Sequence, residues 1–181
     1  MKISTICLLL CSGAAILSAA DTPTIAQIYD RNLAGVEGDL VPLAEAMPAN
    51  LYNFAPAAGE FKGVRTFRQQ AKHIAAVNYM IGAALLEQKP PVDLGAGENG
   101  PDSITSKEQV VGFLKDSFAY LHKAMLTLTA ANQGGMIQSP FGKSQSPRIA
   151  IALIAAGHCF DHYGQMVVYA RMNGVVPPAS R

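Results

Sequence analysis

The sequence carries no surplus of charge: 14 Lys and Arg oppose 13 Asp and Glu over 181 residues. Nothing in that balance favours nucleic acid or an anionic membrane surface as a partner. Charge of either sign is sparse at 15%, while half the residues are hydrophobic. This excludes a disordered chain and allows a sizeable core. Cysteine is scarce, with only Cys7, Cys11 and Cys159. There is no internal repeat and no low-complexity tract, and the length suits one domain with or without a leader.

Only one long apolar run exists, from Ile3 to Leu17, too short and too early for a membrane span. With Lys2 before it and Ser18-Ala19-Ala20 behind it, it reads as a secretory signal over residues 1–20. The mature chain then begins at Asp21, and residues 21–181 form the domain. An uncleaved N-terminal anchor is the alternative. Cys11 follows Leu10, where a lipidation signal would place a small residue. Loss of Lys2 leaves thirteen basic and thirteen acidic residues. Loss of Cys7 and Cys11 leaves Cys159 alone, so no intrachain disulfide can form despite a periplasmic or secreted destination. No membrane association is expected once the signal is removed.

Four segments carry helical periodicity. The first follows Thr22-Pro23, read as an N-cap with proline at the first helical position. Ile25, Tyr29, Leu33, Val36, Leu40 and Leu43 recur behind it at steps of three and four. The second opens with the capping box Thr66-Phe67-Arg68-Gln69 and carries Phe67, Ala71, Ile74, Ile81 and Leu85, with Asn78 interrupting. The third opens at Thr105-Ser106-Lys107-Glu108 and continues with Val111, Leu114, Phe118, Leu121, Met125 and Leu128. The fourth runs from Ser146-Pro147 to about Asn173, where Gly174 and Pro177-Pro178 stop it. Long connections, 47–64 and 89–103, permit crossovers between parallel neighbours. The expected fold class is therefore all-α, with no strand content beyond the trivial.

His158 and His162 are four residues apart on the fourth helix, so both imidazoles share one face. That face is the apolar seam of Ile151, Ala155, Met166 and Tyr169. Buried imidazoles without partners cost about 1–3 kcal/mol each, and a metal ion satisfies one nitrogen of each ring. The plainer alternative is a pair of core histidines bonded to backbone or water. His73, beside Ile74 on the second helix, becomes a candidate third ligand, since bundles build metal sites from facing helices. His122 reads as a boundary histidine at the edge of the third stripe. Asp161 is turned away from its two neighbours by the helical spacing. Cys159 reads as a small buried hydrophobe. Gln165 is either a hydrogen-bond partner of a ligand or a polar end to the core.

Two stretches resemble the DinB/YfiT-like superfamily. One is Met47-Pro48 with Tyr52-Asn53-Phe54-Ala55-Pro56, followed by Val64-Arg65-Thr66-Phe67 and Lys72-His73-Ile74-Ala75. The other is His158-Cys159-Phe160-Asp161-His162-Tyr163-Gly164-Gln165, with the tail Asn173-Gly174 and Pro177-Pro178. The family has a similar Met-Pro loop before its first histidine and a comparable His-x-x-x-His-x-Gly-Gln run. The resemblance spans the mature chain. It implies a four-helix bundle in up-down-down-up order with long crossover loops. It also implies a metal site on His73, His158 and His162.

Relatives of known activity are thiol-dependent transferases and isomerases, and most members are described only as metal-dependent hydrolases. An exported chain is separated from a cytoplasmic thiol, so the resemblance supports the site more than the thiol chemistry. Three neutral imidazoles leave a divalent ion its full charge. The pKa of water in an open coordination position then falls to about 7 for zinc. Zinc is the default, with nickel, manganese or iron compatible with the same ligands. The expectation is an exported metal-dependent hydrolase or transferase acting on a small molecule of unknown identity. A non-catalytic metal-binding or stress-linked bundle is the first alternative, and a metal-free interaction bundle the second. No separate general base is legible. Abundant apolar residues on a small bundle, together with the resemblance, suggest a homodimer.

Overall fold

The computed structural model describes residues 22–96 and 98–181. The signal segment, its cleavage point and the Asp21 start lie outside the described residues. The chain forms α1 (Ile25–Ala46), α2 (Phe67–Leu85), α3 (Lys107–Met125) and α4 (Arg148–Met172). A small antiparallel hairpin, β1 (Met136–Gln138) and β2 (Gln145–Pro147), precedes α4, with Ile137 opposite Ser146. The fold is all-α apart from this hairpin. No described helix is long and apolar enough to cross a membrane.

Three helices start on a reciprocal capping box. The hydroxyl of Thr24, Thr66 or Ser106 accepts from the backbone of the third helical residue. That residue is a glutamine each time, Gln27, Gln69 or Gln109, and its side chain accepts from the cap's own N–H. Two of these starts differ from the sequence reading. α1 begins after Thr24 rather than Thr22, because only Thr24 has a side chain three residues on that can return the bond; Ile25 behind Thr22 cannot. α3 is capped by Ser106 rather than Thr105, because its partner is Gln109 and not Glu108. The α4 boundary at Pro147 agrees with the reading, and Gly174, at φ 74°, follows its C-cap in the left-handed conformation that glycine adopts without strain.

Side-chain pairs give the helix directions. On α1 and α3, Asp30 meets His122 while Glu45 meets Lys115, so the two are antiparallel. On α2 and α3, Asn78 meets Ser117 while Gly82 lies under Tyr120 and Ala124, so the two are parallel. On α2 and α4, Gln70 meets Gln165, Asn78 meets Cys159, and Arg148 donates to the Leu85 carbonyl, so these are antiparallel. The order is up-down-down-up. α1 and α2 each pack on both α3 and α4, which places α1 and α2 on opposite corners. The long 86–106 connection is what parallel α2 and α3 require.

α2 is the most enclosed helix, buried on nearly every face from Phe67 to Leu85. Gly82 explains part of this, since a Cβ there would stand 2.8 Å from the Tyr120 ring. Asn78, which interrupts the apolar stripe, is a buried polar pin. Its Nδ2 donates to Ser117 Oγ at 3.2 Å, and its Oδ1 accepts from the Cys159 thiol at 3.4 Å, tying α2 to both neighbours. The core closes around Leu33, Val36, Leu40, Ile74, Leu114 and Phe118.

Candidate metal centre

Between antiparallel α2 and α4 the side chains stack in layers. The Asn78–Cys159 layer lies deepest. Above it are His73, His158 and His162, and above those Gln70 bridges to Gln165. At the end of the bundle the Tyr169 hydroxyl donates to the Arg65 carbonyl at 3.1 Å. The order follows from helix geometry, because each step of three or four residues along one helix meets the reverse step along its partner.

The three histidines offer one ligand atom each, all within 4.8 Å of one another. His73 and His162 are buried, at 4% and 7% exposure, and His158 is half-buried. The Glu98 backbone carbonyl lies 2.5 Å from His73 Nδ1. A carbonyl only accepts, so Nδ1 carries the proton and Nε2 presents its lone pair. That Nε2 stands 3.1 Å from His158 Nε2. Glu98 thus does for His73 what a carbonyl or carboxylate commonly does behind a metal-ligating imidazole.

The trio fits a divalent cation by its donor set: with His73 Nδ1 protonated, the nitrogens seen to converge are Nε2 of His73 and Nε2 of His158, and His162 brings a third ligand atom within 4.8 Å. Of six ring nitrogens, only His73 Nδ1 has a partner outside the cluster among the described residues. Nδ1 of His158 and Nδ1 of His162 are buried with no partner. Two nitrogens each about 2.1 Å from one ion at the tetrahedral angle stand roughly 3.4 Å apart, close to the separation seen between His73 and His158. Burial, its two histidine neighbours and Arg65 push the His158 pKa down to about 3. Burial and His73 push His162 down to about 4, with Asp161 pulling upward and Arg65 downward, and burial also lowers His73. All three rings are therefore neutral at pH 7, the state in which imidazole ligates.

The other residues singled out in the sequence lie elsewhere. His122 is apart from the trio, held between Asp30 Oδ1 at 2.6 Å and Glu37 Oε2 at 2.9 Å on opposite ring nitrogens. Those carboxylates cannot converge on one ion. Cys159 is fully buried, and burial pushes its thiol up to about 12, so it behaves as a hydrophobe with one weak hydrogen bond. Asp161 faces solvent and accepts from Gln165 Nε2 at 3.1 Å. Gln165 in turn accepts from Gln70 Nε2 at 2.8 Å, and among the described residues it has no hydrogen bond to a histidine. Sequence reasoning missed Gln70, Arg65 and Glu98. Gln70 and Arg65 flank the α2 capping box, and Glu98 belongs to a connection without periodicity.

A polar cleft of about 850 Å³ lies over this end of the bundle, lined by Arg65, Gln69, Gln70, Asn99, Asp102 and Gln165. A second cavity, of about 690 Å³, lies roughly 20 Å farther along α2. Its walls are largely apolar, including Met80, Ala83, Leu94 and Pro140, and no group of ligating side chains borders it. None of the three histidines lines either cavity; the polar cleft is lined by Gln70 and Gln165, each about one helical turn from a histidine of the trio.

Known proteins carry the same architecture. A DinB-like protein from Bacillus cereus superposes with a TM-score of 0.66 at 14% identity, covering 83% of this chain and 93% of its own. A DinB-like protein from Bacillus subtilis gives 0.62 at 16% identity, covering 81% and 92%. A conserved protein from Enterococcus faecalis gives 0.66 at 14% identity, covering 83% and 97%. No curated protein matches the sequence. At such identities the structures speak for the fold alone, but the sequence pattern of the DinB superfamily itself matches residues 32–166. The chain belongs to the DinB superfamily.

Proposed function

We propose that the protein is an exported, metal-dependent enzyme that hydrolyses or transfers a group on a small molecule, with one divalent ion on His73, His158 and His162. The observation that carries this reading is the trio itself: three neutral imidazoles from facing helices, with one ligand atom of each gathered within 4.8 Å of the others. Among the described residues no carboxylate joins them, so a bound ion would keep its charge and supply Lewis-acid activation of water or a thiol. Zinc suits three nitrogens, and nickel, manganese or iron remain alternatives of the same ligand chemistry. The Glu98 carbonyl holds the His73 ring in one tautomer, and Gln70 and Gln165 cap the histidine layer on its cleft side. A cleft that reaches Gln70 and Gln165, about one helical turn from the histidines, favours an enzyme over a closed structural site.

Elemental analysis of protein purified without chelators tests this directly. One divalent ion per chain is expected. His73→Ala, His158→Ala or His162→Ala each removes one of three ligands and is expected to lose most of it. His122→Ala is expected to bind as the parent does. Full metal retention in all three ligand variants would refute the centre.

The reading of export rests on residues 1–20, and intact mass of the secreted protein is expected to begin at Asp21. Retention of residues 1–20 would refute cleavage. We also propose a homodimer formed through the exposed face of α4. There Leu153, Phe160 and Val168 are exposed on one side of the helix, and among the described residues nothing lies within 4 Å of a Cβ built at Gly157 or Gly164.

A further inference from the structure

Arg65 stands in the turn before the α2 cap, at the wall of the polar cleft. Its backbone is pinned by the Tyr169 hydroxyl, and its Nε donates to Asn99 Oδ1 at 3.0 Å. Among the described residues neither Nη group has a hydrogen-bond partner, and no carboxylate lies at ion-pair distance from the guanidinium. A half-buried guanidinium with its fork unspent is an anion site in search of an anion. The first-turn amides of α2 do not compete for that role. Phe67 and Arg68 donate to the carbonyls of Phe54 and Tyr52, and Gln69 donates to Thr66 Oγ1.

A second, independent deficit sits on the floor of the same cleft. Asp161 can only accept, so Gln165 turns its Nε2 toward it. Gln165 Oε1 must then accept, so Gln70 turns its own Nε2 inward to donate. Gln70 Oε1 is left over. The residue is 2% exposed, and this oxygen is buried with no partner. An orphan acceptor of this kind costs about 1–3 kcal/mol unless a ligand donor meets it.

We propose that the cleft takes a small carboxylic acid, its carboxylate seated on the Arg65 guanidinium and an N–H or O–H group of the same molecule donated to Gln70 Oε1. The carboxylate is favoured over a phosphate because one guanidinium faces the cleft while Asp102 shares its wall. A phosphate ester would bring a charge of about −1.5 to −2 against that acid. What happens to the bound molecule rests on the metal-centre reading, since the histidine layer lies directly beneath Gln70; the binding itself does not.

Calorimetric titration of the purified chain with N-acetylglycine, which carries one carboxylate and one N–H donor, tests the assignment. The parent is expected to bind the acid and to discriminate against its methyl ester. Arg65→Gln is expected to weaken the acid by about tenfold or more, the usual effect of losing a charge-assisted pair. Gln70→Leu is expected to weaken N-acetylglycine but not butyrate, which has no donor. Three results would each overturn the proposal: an ester bound as tightly as the acid by the parent, an Arg65→Gln variant that binds like the parent, or no binding by the parent up to about 10 mM. The ester comparison needs no variant and so stands even if a substitution unfolds the chain. Metal content measured on the same samples separates the two readings. Arg65-dependent binding by a chain without metal defeats the metal centre alone, whereas full metal with Arg65-independent binding defeats the acid site alone.

Discussion

The four histidines of the domain titrate in opposite senses. His158 and His162 are held at about 3 and about 4, and His73 is lowered, each chiefly by burial. Their protons prefer the unfolded chain, whose imidazoles titrate near 6.5. The stability linked to them is present above that value and is lost as pH falls toward the folded values. For His122, burial opposes the charge, but the hydrogen bonds to Asp30 and Glu37 outweigh it and raise the pKa. Its contribution is complete below about 6.5 and is lost as pH rises through the raised folded value. In the metal-free chain the urea midpoint is therefore expected to fall from about pH 6.5 downward, less steeply in His158→Ala. A separate decline above about pH 6.5 should be present in the parent and absent in His122→Ala. Parallel pH profiles for parent and variants would contradict these protonation states.

Three of the four helices begin where a hydroxyl and a glutamine three residues later can serve each other. At α2 that box also sets the site, because Thr66 lies between Arg65 and the turn leading to Gln70 and His73. Thr66→Ala leaves the Gln69 amide without its acceptor and is expected to cost about 1 kcal/mol. Urea unfolding measures this, and an unchanged midpoint would show that the box contributes nothing. The α2 box was legible in the sequence because its residues are adjacent and its partners local. The β1–β2 hairpin was not, because three-residue strands are too short for alternation to register. The true starts of α1 and α3 depended on which nearby side chain could return the bond, and two threonines one or two residues upstream looked equally suitable.

In the assembled bundle α2 is enclosed by its neighbours, whereas α4 presents an uncovered apolar row to solvent. Two copies of α4 can approach closely at Gly157 and Gly164, where no side chain intervenes. Sedimentation at micromolar concentration is expected to give a dimer for the parent and a monomer for Phe160→Asp, because a charge buried in an apolar contact without a partner is strongly disfavoured. A parent that sediments only as a monomer would refute the homodimer. Because the row runs along the helix that carries His158 and His162 but on the opposite face, Phe160→Asp is not expected to alter metal content.

Helical periodicity is a local property of the backbone, so the four helices and the stripe each buries follow from residue spacing alone. It also determined that His158 and His162 share a face, since residues four apart on a helix must. It could not say which stripe meets which. The up-down-down-up arrangement and the pairing of α2 with α4 were expected only by resemblance, and contacts such as Gln70–Gln165 and Asn78–Cys159 carry them. It takes the folded bundle to set Glu98 behind His73, to let Asp161 act through Gln165 on Gln70, and to leave the Arg65 fork without a partner among the described residues. Each of these depends on residues from 25 to 95 positions apart meeting at one end of the bundle. A hydrogen bond of that range has no periodic signature along the chain, and it exists only once the crossover connections have closed.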